Sequence, residues 1–284
     1  MILYFNRKTQ EYEQEKEYQG KLLEFLYTTV IGRVLLKLIV ARPWFSRLRA
    51  HYQKCKRSKK DIAPFIEEYQ IDIAPYEKNW ECFNDFFTRK RAYCDHCDAD
   101  TLVAIADARL SVYPIDDALC LSVKNSRYTL GELVNHSLDL KEFQQGHALI
   151  FRLSVNDYHR YVFPDDGELL RQYPIRGELH TVRPISEKYH VYSRNTRVVN
   201  EMRTKHFGKV IQIEVGALLV GCIHNHPLDH FQKLTEKGYF SYGGSTVILL
   251  VNDTVAIDAE LLEQSRLGYE TKVTIGEKIG EKRC

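Results

Sequence analysis

Apolar residues recur at helical spacing from Leu22 to Val40, and Pro43 ends the run. The pattern predicts a helix over 20–42, a second over 44–57, and short helices over Ile62–Tyr69 and Cys82–Arg91. Ahead of them, residues 8–20 are polar and rich in Glu, and read as a surface lead-in. From Thr101 the period changes. Short runs rich in β-branched and aromatic residues alternate with turn residues at 101–105, 110–113, 119–123, 148–155, 169–175, 180–182, 189–191, 209–215, 217–223, 246–251 and 254–257. The expected architecture is α+β: a helical region over 1–95, then a mainly antiparallel β domain over 96–284. No internal repeat is visible.

The chain has 284 residues, a length that suits one large domain or two small ones. With 44% hydrophobic and 27% charged residues, it can bury a sizeable core and is not disordered. Seven cysteines are spread unevenly, and the opening Met1–Arg7 is no signal peptide. A reducing, cytoplasmic setting without a disulfide framework is therefore expected.

Charge changes the picture more than composition does. The net charge is only +2, which excludes a nucleic-acid binder of the whole-chain basic kind. Yet residues 1–60 hold 14 Lys and Arg against 5 Asp and Glu. Between Phe25 and Lys60 there are ten basic residues and no acid. Glu24, Arg33 and Lys37 interrupt the apolar run, and a charge at the bilayer centre costs several kcal/mol, so a transmembrane span is rejected. Two readings stay open: a basic amphipathic segment lying on an anionic membrane, or helices packed on their own domain with a solvated basic face; a third, nucleic acid, finds no module motif to support it. On a membrane, each basic group would contribute on the order of 1 kcal/mol.

Four constellations could carry chemistry. Cys94-Asp95-His96-Cys97 is a lone C-x-x-C without a second pair at zinc-site spacing, and reads as a loop with reduced thiols. His224, His226 and His230 form a His-rich loop that could bind a metal or simply line a site. Asp157-Tyr158-His159-Arg160 follows an apolar strand, which would suit His159 as a general base or as a strand-end cap. Gly243-Gly244-Ser245-Thr246 opens the apolar run Val247–Val251. A Ser hydroxyl held beside an unhindered glycyl carbonyl can attack the peptide bond ahead of it, and elimination from the resulting ester would leave dehydroalanine and then a pyruvoyl group. A plain Gly-Gly turn is the competing reading.

Glu236-Lys237-Gly238-Tyr239-Phe240-Ser241-Tyr242-Gly243-Gly244-Ser245-Thr246-Val247 resembles the self-cleavage segment of the phosphatidylserine decarboxylase family. Phe83-Asn84-Asp85-Phe86-Phe87-Thr88-Arg89 is similar to that family's F-x-x-F-F-x-R, Asp157–Arg160 to its D-Y-H-R, and Asn195–Val198 to its N-x-R-V. Phe207-Gly208, Val215-Gly216-Ala217 and Val220-Gly221 also match in order. The resemblance spans nearly the whole chain and is greatest to compact clostridial-type members.

It implies a membrane-associated carboxy-lyase that converts phosphatidylserine to phosphatidylethanolamine. Ser245 would be the processing nucleophile and the source of a pyruvoyl cofactor, with the cut between Gly244 and Ser245. The cofactor would form a Schiff base with the lipid's serine amine. Asp107 would be the relay aspartate that orients a histidine, and His159 the remaining candidate for proton transfer. The two fragments would stay associated, as a homodimer peripheral to the cytoplasmic face of the membrane, with no metal and no nucleic acid.

Three positions depart from the family pattern. The second histidine, three residues after His159, is Val162 here, and Val cannot accept a proton. The usual S-P-x-D-G around the aspartate reads Ala104-Ile105-Ala106-Asp107-Ala108, which loses its turn residues, and Thr235 replaces a Gly. Two functional readings follow. In one, His159 or a histidine of the 224–230 loop supplies the missing base of an active decarboxylase for the lipid or for a soluble amino acid. In the other, the chain stays uncleaved and only binds phospholipid.

Overall fold

The computed structural model describes residues 2–16, 20–92, 98–123, 126–218, 222–241 and 245–283. The C-x-x-C pair Cys94 and Cys97, and Gly243 and Gly244, lie outside the described residues.

The central strands are apolar because both of their faces are covered. Ser245–Val251 is buried at every position. It pairs antiparallel with His147–Leu153 on one side and with Gly208–Val215 on the other. Around it runs a ten-stranded sheet, in spatial order His230–Phe231, Gly167–Ile175, Arg197–Thr204, Gly208–Val215, Ser245–Val251, His147–Leu153, Ala108–Pro114, Glu270–Val273, Leu3–Asn6 and Glu11–Gln14. Alternation sends Leu149, Phe151, Leu153, Val247 and Leu249 into one core, and Ala148, Ile150, Ile248 and Leu250 into another on the opposite face. A three-stranded sheet of Ile223–Asn225, Glu236–Phe240 and Arg160–Val162 covers the first face. Ser245 shares parity with Val247 and points to that side.

The α+β class holds, and three expectations change. Residues 8–20 are not a surface lead-in: Glu11–Gln14 is the outermost strand of the main sheet, next to Leu3–Asn6. Its Glu residues suit an exposed edge, where charge discourages pairing with another chain. The main sheet therefore crosses the expected domain boundary at residue 95. Secondly, 20–42 is not one helix. Gly20–Thr28 ends where Thr29 caps a new helix, Val30–Leu35, its hydroxyl accepting from Gly32 N at 2.9 Å. Gly32 lies so close to the first helix that a Cβ there would sit 2.0 Å from Phe25 O. One π-helical turn, Leu36–Val40, follows. Thirdly, 180–182 and 189–191 are not strands. The polar runs Arg197–Thr204, Glu236–Phe240 and Glu270–Val273 are, because tertiary partners bury their polar side chains. The helices Pro43–Lys54, Ile62–Tyr69 and Phe83–Phe87 agree with expectation to within a few residues. Among the described residues, no helix is long and apolar enough to cross a membrane.

Candidate active site

Ser245 and His159, 86 residues apart in sequence, meet beneath the covering sheet. Ser245 Oγ lies 3.3 Å from His159 Nδ1. Both residues are fully buried. The strand register sets Ser245 opposite Leu153. The turn that follows Leu153 then carries His159 back over the serine: Asp157 N donates to Ser154 O at 3.0 Å, closing that turn.

The hydrogen bond on the far side of the imidazole assigns its protons. His159 Nε2 lies 2.9 Å from Ser154 O. A carbonyl oxygen only accepts, so Nε2 carries the hydrogen and Nδ1 presents its lone pair to Ser245 Oγ. Burial, reinforced by the charge of Arg89, pushes His159 down to about 3. The ring is thus neutral in the ordinary working range, which is the state a proton acceptor requires. Phe87 holds it flat, with centroids 4.1 Å apart and planes 27° from parallel.

Several of the sequence motifs build the surroundings of this contact. Phe83, Phe86 and Phe87 anchor their short helix in an aromatic cluster with Phe65. Arg89 reaches from its end to the carbonyls of Asn156 and Asp157, both at 3.3 Å. Arg160 ties that helix end to the strand leading to Ser245: it donates to Thr88 O at 2.9 Å and pairs with Glu236 at 2.6 Å. In that strand, Gly238 has no room for a side chain, since a Cβ would meet His224 O at 2.1 Å. Asn195 clips the chain beside the site, donating to His180 O at 2.9 Å and Gly216 O at 2.8 Å.

A family model described as phosphatidylserine decarboxylase matches residues 83–281. Phosphatidylserine decarboxylase proenzyme 2 of Clostridium acetobutylicum is 50% identical over 99% of this chain and 98% of its own length. The proenzymes of Clostridium kluyveri and Clostridium botulinum are 40% and 38% identical, with 99% and 100% of both chains covered.

The chain belongs to the phosphatidylserine decarboxylase family.

In this member of the family, Asp107 does not orient His159. Its Oδ1 pairs with Arg91 Nη2 at 2.7 Å and accepts from Ile275 N at 2.9 Å. The histidine is oriented by a backbone carbonyl instead. Val162 N donates to Ile105 O at 3.0 Å, so position 162 lies beside the segment that bears Asp107. A valine there offers the carboxylate no proton, and the partners of Asp107 are Arg91 and Ile275 N. The 224–230 loop does not reach Ser245 either. His224 Nε2 meets Ser241 Oγ at 2.9 Å, His226 Nε2 meets Glu236 at 2.7 Å, and His230 is exposed. Among the described residues, no three His, Cys, Asp or Glu side chains converge as metal ligands would. Cys55, Cys82, Cys120 and Cys222 are free.

Sequence reasoning missed Ser154, Arg89 and Phe87 as parts of the site. Ser154 acts through its carbonyl, which every residue possesses and no motif advertises. Arg89 and Phe87 stood inside a recognised motif, but their shared target was hidden until the fold brought residue 159 to them.

Proposed function

We propose that the chain is a phosphatidylserine decarboxylase proenzyme that cuts itself between Gly244 and Ser245 and then removes CO2 from phosphatidylserine, leaving phosphatidylethanolamine. The observation that carries this reading is the buried contact between Ser245 Oγ and the unprotonated Nδ1 of His159, with the Ser154 carbonyl behind it.

Ser245 Oγ–H donates to His159 Nδ1. As Oγ bonds to the Gly244 carbonyl carbon, its proton passes to Nδ1. The Gly244–Ser245 C–N bond then breaks, the nitrogen takes up a proton, and an ester replaces the amide. Loss of the Ser245 Cα proton and cleavage of the Cβ–Oγ bond release the Gly244 carboxylate and leave dehydroalanine. Water then replaces its nitrogen, which departs as ammonia. A base depressed as far as His159 drives proton transfer weakly, but this reaction occurs once per chain.

The residues present fit a pyruvoyl group. Residue 245 is a serine, fully buried at the first position of a strand, with a neutral imidazole against its side chain. When present, such a group supplies a carbonyl for the headgroup amine and a sink for the electrons of the breaking C–CO2 bond. His159 remains beside residue 245, its Nδ1 able to hold one proton. The uncleaved alternative rested on Val162, and His159 removes the need for a histidine at that position.

Association of the two fragments is supported by topology. Residues 245–284 supply Ser245–Val251 to the middle of the main sheet and Glu270–Val273 further along it. Separation would strip the core from both pieces.

The membrane surface is supported by what the N-terminal helices leave exposed. Leu26, Tyr27 and Leu36 are buried, while Val30, Ile31, Val34, Leu38, Trp44 and Leu48 are 52–70% exposed, with Arg33 and Lys37 among them. An exposed apolar face rimmed by bases suits an anionic lipid surface, and we place the enzyme peripherally on the cytoplasmic face. The homodimer is proposed from the family resemblance, and light scattering tests it.

Intact mass tests the central claim. Wild-type protein should give fragments corresponding to 1–244 and 245–284, the smaller with a blocked N-terminus and a carbonyl reducible by borohydride. Ser245→Ala should give one species of 33.3 kDa. A wild-type chain that stays whole, without a reactive carbonyl, overturns the reading. CO2 release from phosphatidylserine vesicles compared with free serine separates the lipid from a soluble substrate.

A further inference from the structure

The turn that orients His159 is gripped from behind by a buried cluster of charges. Ser154 N donates to Asp157 Oδ2 at 2.7 Å, and Arg109 Nη1 donates to the same oxygen. The Ser154 hydroxyl bonds to Glu15 Oε1 and receives Arg152 Nη1 at 3.2 Å. Arg152 also donates to Glu15 Oε2 at 2.7 Å, while its Nε lies 3.0 Å from the Glu270 carboxylate. Glu15, Arg109, Arg152 and Ser154 are each at most 6% exposed. Removing one partner from such a buried network leaves an uncompensated charge, so the group acts as a unit.

Glu15 is the unexpected member. It follows the edge strand Glu11–Gln14, lies 139 residues from Ser154, and stands outside the 83–281 span of the family model. The same N-terminal arm places the Tyr4 ring 4.8 Å from the Arg109 guanidinium. Two arm residues therefore reach two arginines that flank one turn. Within that turn, Ser154 O is the backbone oxygen that lies 2.9 Å from the imidazole Nε2.

We propose that Glu15 and Ser154 are positioning residues: the N-terminal arm clamps the Ser154–Asp157 turn, holds the Ser154 carbonyl on His159 Nε2, and so keeps Nδ1 unprotonated toward Ser245. The proposal rests on the reading of Ser245 as the processing nucleophile, but the clamp itself can be observed without cleavage. Glu15 and Ser154 touch no reacting atom. They act through the ring.

The test uses the full-length chain in two arms. In the first, self-cleavage is followed over time for wild type, Ser154→Ala, Ser154→Thr and Glu15→Gln. Ser154→Ala removes only the hydroxyl that joins the turn to Glu15 and Arg152. It should slow splitting about 10- to 100-fold, the scale of misplacing a reacting group by a fraction of an ångström to 1 Å. Ser154→Thr, which keeps the hydroxyl, should restore most of the rate, and Glu15→Gln should fall between. In the second arm, chains carrying Ser245→Ala are labelled with [15N]histidine, and the His159 signals are identified by their loss in His159→Asn. With the clamp intact, His159 should show a single Nε2–H tautomer. Adding Ser154→Ala should yield a mixture.

Unslowed splitting in Ser154→Ala overturns the proposal. Slowed splitting with an unchanged tautomer also overturns it, because that outcome marks a merely structural role. If wild-type protein does not split at all, the self-processing reading fails, and the tautomer of the Ser245→Ala chains still decides the clamp.

Discussion

His159 is neutral where an exposed histidine would be half protonated, and this should be visible in the stability of the uncleaved chain. In the unfolded chain the imidazole titrates near its ordinary value of about 6.5. In the folded protein, burial and Arg89 push it down to about 3. Between those values the unfolded state binds a proton that the native state refuses. Stability contributed by this site is therefore complete above about pH 6.5 and is lost as the pH falls toward 3. At 1.36 kcal/mol per unit, the loss amounts to about 2 kcal/mol between pH 7 and pH 5, and to about 5 kcal/mol in full. Urea unfolding of Ser245→Ala at pH 7 and pH 5, beside the same chain carrying His159→Asn, isolates the term, because every other titrating group is common to both. The His159 chain should lose about 2 kcal/mol more over that interval. Equal losses would mean that the ring takes up a proton in the fold, and the assignment of Nδ1 as a free acceptor would be wrong.

His159→Asn in the otherwise natural chain should slow self-cleavage by about 10²- to 10⁴-fold, the usual worth of a positioned base. Asp107→Asn should slow it far less, since Asp107 faces Arg91, and the two time courses on denaturing gels compare them directly. Phe87→Ala removes the ring under His159 from a site with no exposed surface, and should cost about 3–5 kcal/mol in denaturant unfolding while slowing cleavage. Val30→Asp with Ile31→Asp places charges on the exposed apolar face. Pelleting with vesicles containing phosphatidylserine should fall, while the thermal midpoint changes little. Unchanged pelleting would move the docking surface elsewhere.

Much of the fold class, and the place of Ser245 at the head of a buried strand, were legible in the chain. Helical period, β-rich texture and the order of several motifs are local properties, and local properties survive in a one-dimensional reading. That is why the helices Pro43–Lys54 and Ile62–Tyr69, the strand Ser245–Val251 and the serine at its head were all expected. Strands such as Arg197–Thr204 escaped because their polar residues, Arg197 and Asn200 among them, are buried by distant partners that the sequence does not reveal.

The tertiary structure alone decided which histidine lies beside which serine. The pairing of His159 with Ser245 depends on strand register, on the turn closed by Asp157, and on a π-stacked Phe87 far from both in sequence. The orientation of the ring comes from a backbone carbonyl, an acceptor that every residue carries. Glu15, inside a stretch that reads as polar surface, is buried because Arg152 and Ser154 arrive to meet it. Periodicity and residue type record what a segment prefers by itself. A proton's position on an imidazole is set by whichever atoms the fold brings within 3 Å of it.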